Sequence, residues 1–307
     1  MTNLRILNDA SEKCNDAILI TGMARSGTTI LGKLLHSLLG VEYIFEPPLL
    51  FSHIPKISDM SKNDWCLLYE TYLYEDQLLG ILGGRSINCN EIDDSSIYKV
   101  KSKLDIDKRL LSTHRKSELI EIARSSDVKL AYKMPDIFPF VPELLQYYPD
   151  MHVINMYRNP VDVLNSIIQK EWFTDNSIKN GGIIWPNYDV GGMYVPFWVK
   201  KDNIEGWLEM DEFSRAGYYI ERMLLPIREI ESPFIIDYDS LVSSPKEILS
   251  TIKEKLNLKD GNKTKDIVDS IKYQEKPRDK KILNRLSQEQ KLRITDLVDE
   301  YECHFRK

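Results

Sequence analysis

The stretch "ILITGMARSGTTILGKLL" (18–35) passes from an apolar segment through a glycine-bracketed turn into an apolar-periodic helix. Gly22 and Gly27 enclose four residues, the outline of a phosphate-binding loop. Both glycines permit a tight turn, so backbone N–H groups can converge on an anion at the start of a helix. Arg25 and Ser26 stand inside the turn, and Thr28 and Thr29 open the helix with two hydroxyls. The lysine that reaches the outer phosphates of a nucleoside triphosphate is missing, because Thr28 follows Gly27 directly. The loop therefore predicts an anion of another kind.

Outward from this loop, apolar runs at 17–21, 128–133, 151–157 and 233–238 suit buried parallel strands. Helical patterns follow at 28–39, 138–147, 160–170, 245–257 and 287–302. Such alternation predicts an α/β chain: three layers, α/β/α, a central mainly parallel sheet, and a P-loop fold with helical and loop insertions. We expect one domain over 1–307, its donor-binding core at about 17–50, 128–170 and 233–300. The insertions, 50–125 and 172–219, are expected on the acceptor side. The first reads as helical and polar. The second reads as loop-like and holds Trp172, Trp185, Trp198 and Trp207, which predict either a cover that stacks on sugar rings or plain core.

Bulk properties narrow the class of function. A net charge of −6 argues against a nucleic-acid binder, which would carry a basic face. Cys14, Cys66, Cys89 and Cys303 form no CxxC pair, which reads as reduced thiols in a cytoplasmic protein. No segment has the roughly 18 uninterrupted apolar residues of a membrane span, and the first residues lack the apolar centre of a signal peptide.

A second motif, "VINMYRNPVDVLNSII" (153–168), ends a strand in Arg158 and begins a helix, with Asn159 as cap, Pro160 at its first position and Ser166 two turns on. An arginine at the carboxyl end of a parallel strand sits where ligands bind, and its planar fork suits a phosphate.

With "GMARSGTT" and "YRNPVDVLNS" both in place, the chain resembles the sulfotransferases that use 3′-phosphoadenosine-5′-phosphosulfate, nearer to the glycan, tyrosylprotein and bacterial members than to the small-phenol ones. "FEPP" (45–48), "YKMPD" (132–136) and "DYDSLVSSP" (237–245) follow in the family's order. The resemblance implies that Gly22, Arg25, Ser26, Gly27, Thr28 and Thr29 hold the 5′ end of the donor, that Arg158 and Ser166 hold its 3′-phosphate, and that Tyr238 lies beside the adenosine. It implies in-line displacement with 3′,5′-ADP as product and no metal requirement. Arg25 and Lys133 are the expected cations for the leaving oxygen, and Glu46 the expected base, its carboxyl raised by Phe45, Pro47 and Pro48. His53 is the alternative base. A C-terminal cation from "EKPRDKK" (275–281), Arg278 or Lys280, is the weakest assignment.

The acceptor is expected to be a small molecule or glycan with a hydroxyl or amine. The sequence leaves the oligomeric state open. Two rival readings stand. One is a P-loop kinase with Asp237 of "FIIDYD" as magnesium ligand. The other is a nucleotide-binding protein without catalysis.

Overall fold

The computed structural model describes residues 4–181, 186–231, 233–272 and 281–305. Its centre is a five-stranded parallel sheet of β1 (Ile18–Gly22), β2 (Val41–Phe45), β3 (Lys129–Lys133), β4 (His152–Tyr157) and β7 (Phe234–Asp237). The spatial order is β2-β3-β1-β4-β7. A separate antiparallel hairpin comprises β5 (Asn187–Val190) and β6 (Met193–Pro196).

Every residue of β1 is buried, as a central strand covered on both faces requires. Its side chains alternate between two cores. Ile18 and Ile20 meet Leu31, Leu34 and Leu35 of α2 (Thr28–Ser37), with Leu249, Ile252 and Leu256 of α5 (Pro245–Leu256) in the same cluster. Leu19 joins the opposite core, with Ala10 of α1 (Asn8–Asn15), Leu164 and Ile167 of α3 (Pro160–Gln169), Ile220 of α4 (Glu212–Leu224) and Ile294 of α6 (Gln288–Phe305). Helices thus cover both faces, giving the expected three layers. The chain runs from β1 to one side for β2 and β3, then crosses to β4 on the other side. A crevice follows at the carboxyl ends of β1, β3 and β4, the position that favours ligands in an open parallel sheet.

Two elements differ from the sequence expectation. The segment Val41–Phe45, not among the four expected strands, is the outer strand of the sheet. Its Glu42 interrupts the apolar pattern but is buried, because Arg109 Nη2 donates to Glu42 Oε1 at 2.5 Å. Lys101, also buried, donates to the carbonyls of Leu38 and Val41, both at 2.9 Å, along the side of β2 that no strand covers. The second difference is the β5–β6 hairpin inside the supposed loop. Its turn is Gly191-Gly192, with φ of 61° and 84°, values that a two-residue hairpin of matching twist demands.

The insertion 50–125 is helical as expected, and one helical run continues from Lys62–Glu70 through a π-helical stretch, Thr71–Leu78, into Leu79–Leu82. All four cysteines are free thiols. Among the described residues no helix is long and apolar enough to cross a membrane.

Candidate active site

The loop after β1 is fixed from three sides. Gly22 has φ 133°, and a Cβ there would lie 2.1 Å from the Met156 carbonyl oxygen on β4, so no side chain is tolerated. Gly27, at φ 90° in front of α2, would place a Cβ 2.6 Å from the Tyr238 ring. Between them, Ser26 turns its hydroxyl inward to the Met23 carbonyl at 2.5 Å. The Ala24 N–H donates to Asp136 Oδ1 (3.1 Å) and to the Tyr219 hydroxyl (2.6 Å), while that hydroxyl donates to Asp136 Oδ1 at 2.5 Å.

Asp136 is buried, and desolvation pushes its carboxyl up to about 6, against the opposing pull of Tyr219 and Ala24. A folded-state value above the unfolded one means that the native chain holds this proton more tightly. The associated stability is complete below the unfolded value near 4 and is lost as pH rises through about 6. Asp136→Asn keeps the acceptor and tolerates the φ of 66°, yet carries no charge to desolvate. It is expected to stabilise the protein by about 2 kcal/mol at pH 8, the gain closing as pH falls to 4. Denaturant melts across that range check it, and a pH-independent gain would remove the assignment to the carboxylate.

Beside the loop lies a cleft of about 360 Å³, whose lining includes Arg25, Gly27, Thr28, Thr29, Phe45, Glu46, Lys133, Arg158, Trp172 and Tyr238. At one end the ammonium of Lys133, on the last residue of β3, donates to Thr29 Oγ1 at 3.0 Å and to Glu46 Oε1 at 2.5 Å. It also sits 4.3 Å from the centre of the Phe45 ring. Lys133 is almost wholly buried, whereas Glu46, just past β2, keeps about a third of its side chain exposed (35%). The expected apolar surround of Glu46 is replaced by this ammonium. Parallel pairing produces the meeting, because Phe45 is in register with Lys133 and the Glu46 N–H bonds the Lys133 carbonyl at 3.0 Å.

A second group comprises Arg25, Arg158, Ser166 and Tyr238. The Arg158 guanidinium lies 4.7 Å from the centre of the Tyr238 ring and donates through Nη1 to the Arg25 carbonyl at 3.1 Å. Its Nε is buried with no hydrogen-bond partner among the described residues. Asn159 caps α3 by accepting from the Val161 N–H at 3.0 Å, with Pro160 at the first position. Ser166, two turns on, accepts from Arg25 Nε at 3.3 Å. Arg25 therefore reaches toward Ser166, not toward Lys133 and Glu46.

Several sequence candidates lie elsewhere. The Ser26 hydroxyl is spent inside the loop. His53 pairs with the Trp65 carbonyl at 2.9 Å and stacks on that indole, and it does not line the cleft. Trp198 and Trp207 are wholly buried and pack edge-on to each other, so they are core and present no face to a sugar; among the described residues Trp172 is the one tryptophan that lines the cleft. Trp185, Arg278 and Lys280 lie outside the described residues. The Asp237 carboxylate caps the following helix, accepting from the Ser240 N–H at 3.0 Å and from the Tyr301 hydroxyl. Asp136 and Tyr219 were not singled out from the sequence. The only signal was the strand-end "YKMPD" for Asp136, and Tyr219 had none.

A family model described as the sulfotransferase family matches residues 17–180, which contain the loop, β2, β3, β4 and α3. The chain belongs to the sulfotransferase family, and sulfuryl transfer is the general class of its chemistry. Solved structures that resemble it include a sulfotransferase of Mycobacterium avium, with 15% identity, 95% of this chain and 77% of that one covered, and a TM-score of 0.47. Another is the sulfotransferase domain of the olefin synthase of Synechococcus PCC 7002, with 13% identity, coverage of 93% and 94%, and a TM-score of 0.41. A sulfotransferase of Alicyclobacillus acidocaldarius has 14% identity, coverage of 92% and 95%, and a TM-score of 0.37. No curated protein matches the chain.

Proposed function

We propose that the chain transfers a sulfuryl group from 3′-phosphoadenosine-5′-phosphosulfate to a hydroxyl or amine of a small-molecule or glycan acceptor, by in-line displacement. The observation that carries this reading is the sorting of one cleft into two cationic ends. The donor has two separated anionic groups, and the residues fit both. Arg158, whose Nε lies 4.0 Å from the Asp162 carboxylate without a hydrogen bond, faces one phosphate together with Arg25 and Ser166, while Tyr238 offers a ring to the adenine. The loop N–H groups, Thr28 and Thr29 meet the sulfated phosphate at the start of α2. Lys133 then stands where charge gathers on the oxygen left behind as the sulfur–oxygen bond breaks. Glu46, beside it and open to solvent, takes the proton of the attacking acceptor. Trp172, which lines the same cleft, stands on the acceptor side.

The kinase reading loses ground on Asp237, whose two oxygens are committed to a helix cap and to Tyr301. Turnover is expected to persist in a chelator, and a loss that magnesium restores would favour the kinase. The direct test is thermal: 3′,5′-ADP should stabilise the protein more than 5′-AMP does. A charge-assisted contact of about 1.5–3 kcal/mol corresponds to roughly 10–100-fold in affinity. Arg158→Ala is expected to erase the difference. Equal shifts from the two nucleotides in the native protein would remove the case for this donor.

A further inference from the structure

Three residues other than glycine take a positive φ just past the carboxyl ends of neighbouring strands: Arg25 (70°) after β1, Glu46 (42°) after β2 and Asp136 (66°) after β3. Side chains persist in that region only where the surroundings over-determine them, and such positions cluster at working sites. Arg25 and Glu46 line the cleft, whereas Asp136 is buried. Its contacts run to the loop instead.

Asp136 grips the loop twice. Its N–H donates to the Gly22 carbonyl at 3.1 Å, and its Oδ1 accepts from the Ala24 N–H at 3.1 Å. Three residues earlier, Lys133 donates to Thr29 Oγ1 at 3.0 Å. The run 133–136 is therefore a bracket, with one end on residues 22–24 and the other on the first turn of α2. Tyr219 of α4 adds a second hold on Ala24. Its hydroxyl accepts the same N–H at 2.6 Å and donates to Asp136 Oδ1 at 2.5 Å. The ring is wholly buried, 5.7 Å from Phe173 and 5.1 Å from Trp198 between ring centres, so the hydroxyl cannot follow a loop that shifts.

This anchoring decides which N–H groups an anion can meet. The Ala24 N–H is turned to Asp136 and Tyr219, and the Ser26 N–H to the Met23 carbonyl at 3.2 Å. An anion is then met by the N–H groups that open α2, beside Thr28, Thr29 and Lys133. Arg158 and Ser166, just past β4 and on α3, stand outside the bracket.

We propose that Asp136 and Tyr219 are positioning residues for the 5′ end of the donor: without touching the ligand they aim the loop, so that removing them loosens the sulfated phosphate and spares the 3′-phosphate. The naming of the two ends rests on the proposed donor, whereas the anchoring of the loop rests on the geometry alone. Calorimetry of 3′,5′-ADP, adenosine 3′-phosphate and 5′-AMP at pH 7 tests it. Glycine accepts a φ of 66°, so Asp136→Gly removes the carboxyl without adding backbone strain. It is expected to weaken 3′,5′-ADP about 10–100-fold and to leave adenosine 3′-phosphate within about twofold. Tyr219→Phe, which leaves the Ala24 N–H to Asp136 alone, is expected to show the same selectivity at about 3–10-fold. Asp136→Asn keeps the acceptor and is expected to bind both nucleotides no more weakly than the native protein does. A loss shared equally by 3′,5′-ADP and adenosine 3′-phosphate would be a merely structural effect and overturns the proposal. So does an unchanged 3′,5′-ADP affinity in Asp136→Gly, an Asp136→Asn variant as weak as the glycine one, or a native protein that binds none of the three nucleotides. If the native protein binds 5′-AMP as tightly as 3′,5′-ADP, and Asp136→Gly weakens both, the proposed donor is wrong and the anchoring stands.

Discussion

Lys133→Ala is expected to lower turnover by about 10²–10³ at saturating donor while affinity for 3′,5′-ADP stays close to that of the native protein. The ammonium is nearly buried and held by Thr29 Oγ1, Glu46 Oε1 and the Phe45 ring, so it reaches the reaction in a fixed place. Its partner charge exists only while the bond to sulfur is breaking, and a preformed cation that needs no reorganisation acts on the barrier more than on binding. Calorimetry of 3′,5′-ADP beside single-turnover rates checks this. A variant that loses affinity in proportion to rate would place Lys133 on a phosphate that is bound throughout.

Glu46→Gln is expected to cost roughly 10²–10⁴ in turnover, since the amide keeps the shape but cannot accept a proton. Glutamine also leaves Lys133 without its counter-ion, in a position where the lysine is only 3% exposed. A loss of stability should therefore accompany the loss of rate, and melting curves must be read alongside kinetics. Because the two groups touch, their effects should not multiply. Lys133→Ala with Glu46→Gln together is expected to fall little below the slower single variant. A Glu46→Gln enzyme that turns over normally would mean that Glu46 is not the base. His53 would not replace it as drawn, since its ring is held by the Trp65 carbonyl.

The cleft after β1 was legible because its signals are local. The loop, the Arg158 motif and the four apolar strands are each short consecutive runs, and local spacing fixes where they sit. The outer strand was harder to read. Glu42 breaks its apolar pattern, and the arginine that makes this burial tolerable stands at 109, on the far side of the insertion. Asp136 and Tyr219 meet Ala24 only once β3 and α4 have packed against the loop, so no window of sequence contains the arrangement. The tryptophans show the converse failure. Trp198 and Trp207 carry the composition of a sugar-binding surface, but composition does not say which way an indole faces, and both face inward.

The outer strand has one more consequence, for how the protein keeps apart from its own copies. A strand at the rim of a sheet offers unpaired carbonyls and N–H groups to any similar strand, and self-templated pairing of that kind begins aggregates. Here Lys101 occupies the Leu38 and Val41 carbonyls, and its stretch of chain stands between β2 and solvent. A buried ammonium at a sheet rim is an obstacle to a second strand, which would have to displace and desolvate a charge before its first hydrogen bond. The insertion that carries Lys101 is thus the guard of the rim, and a chain shorn of 97–111 would bare the strand that leads to Glu46 as an adhesive edge.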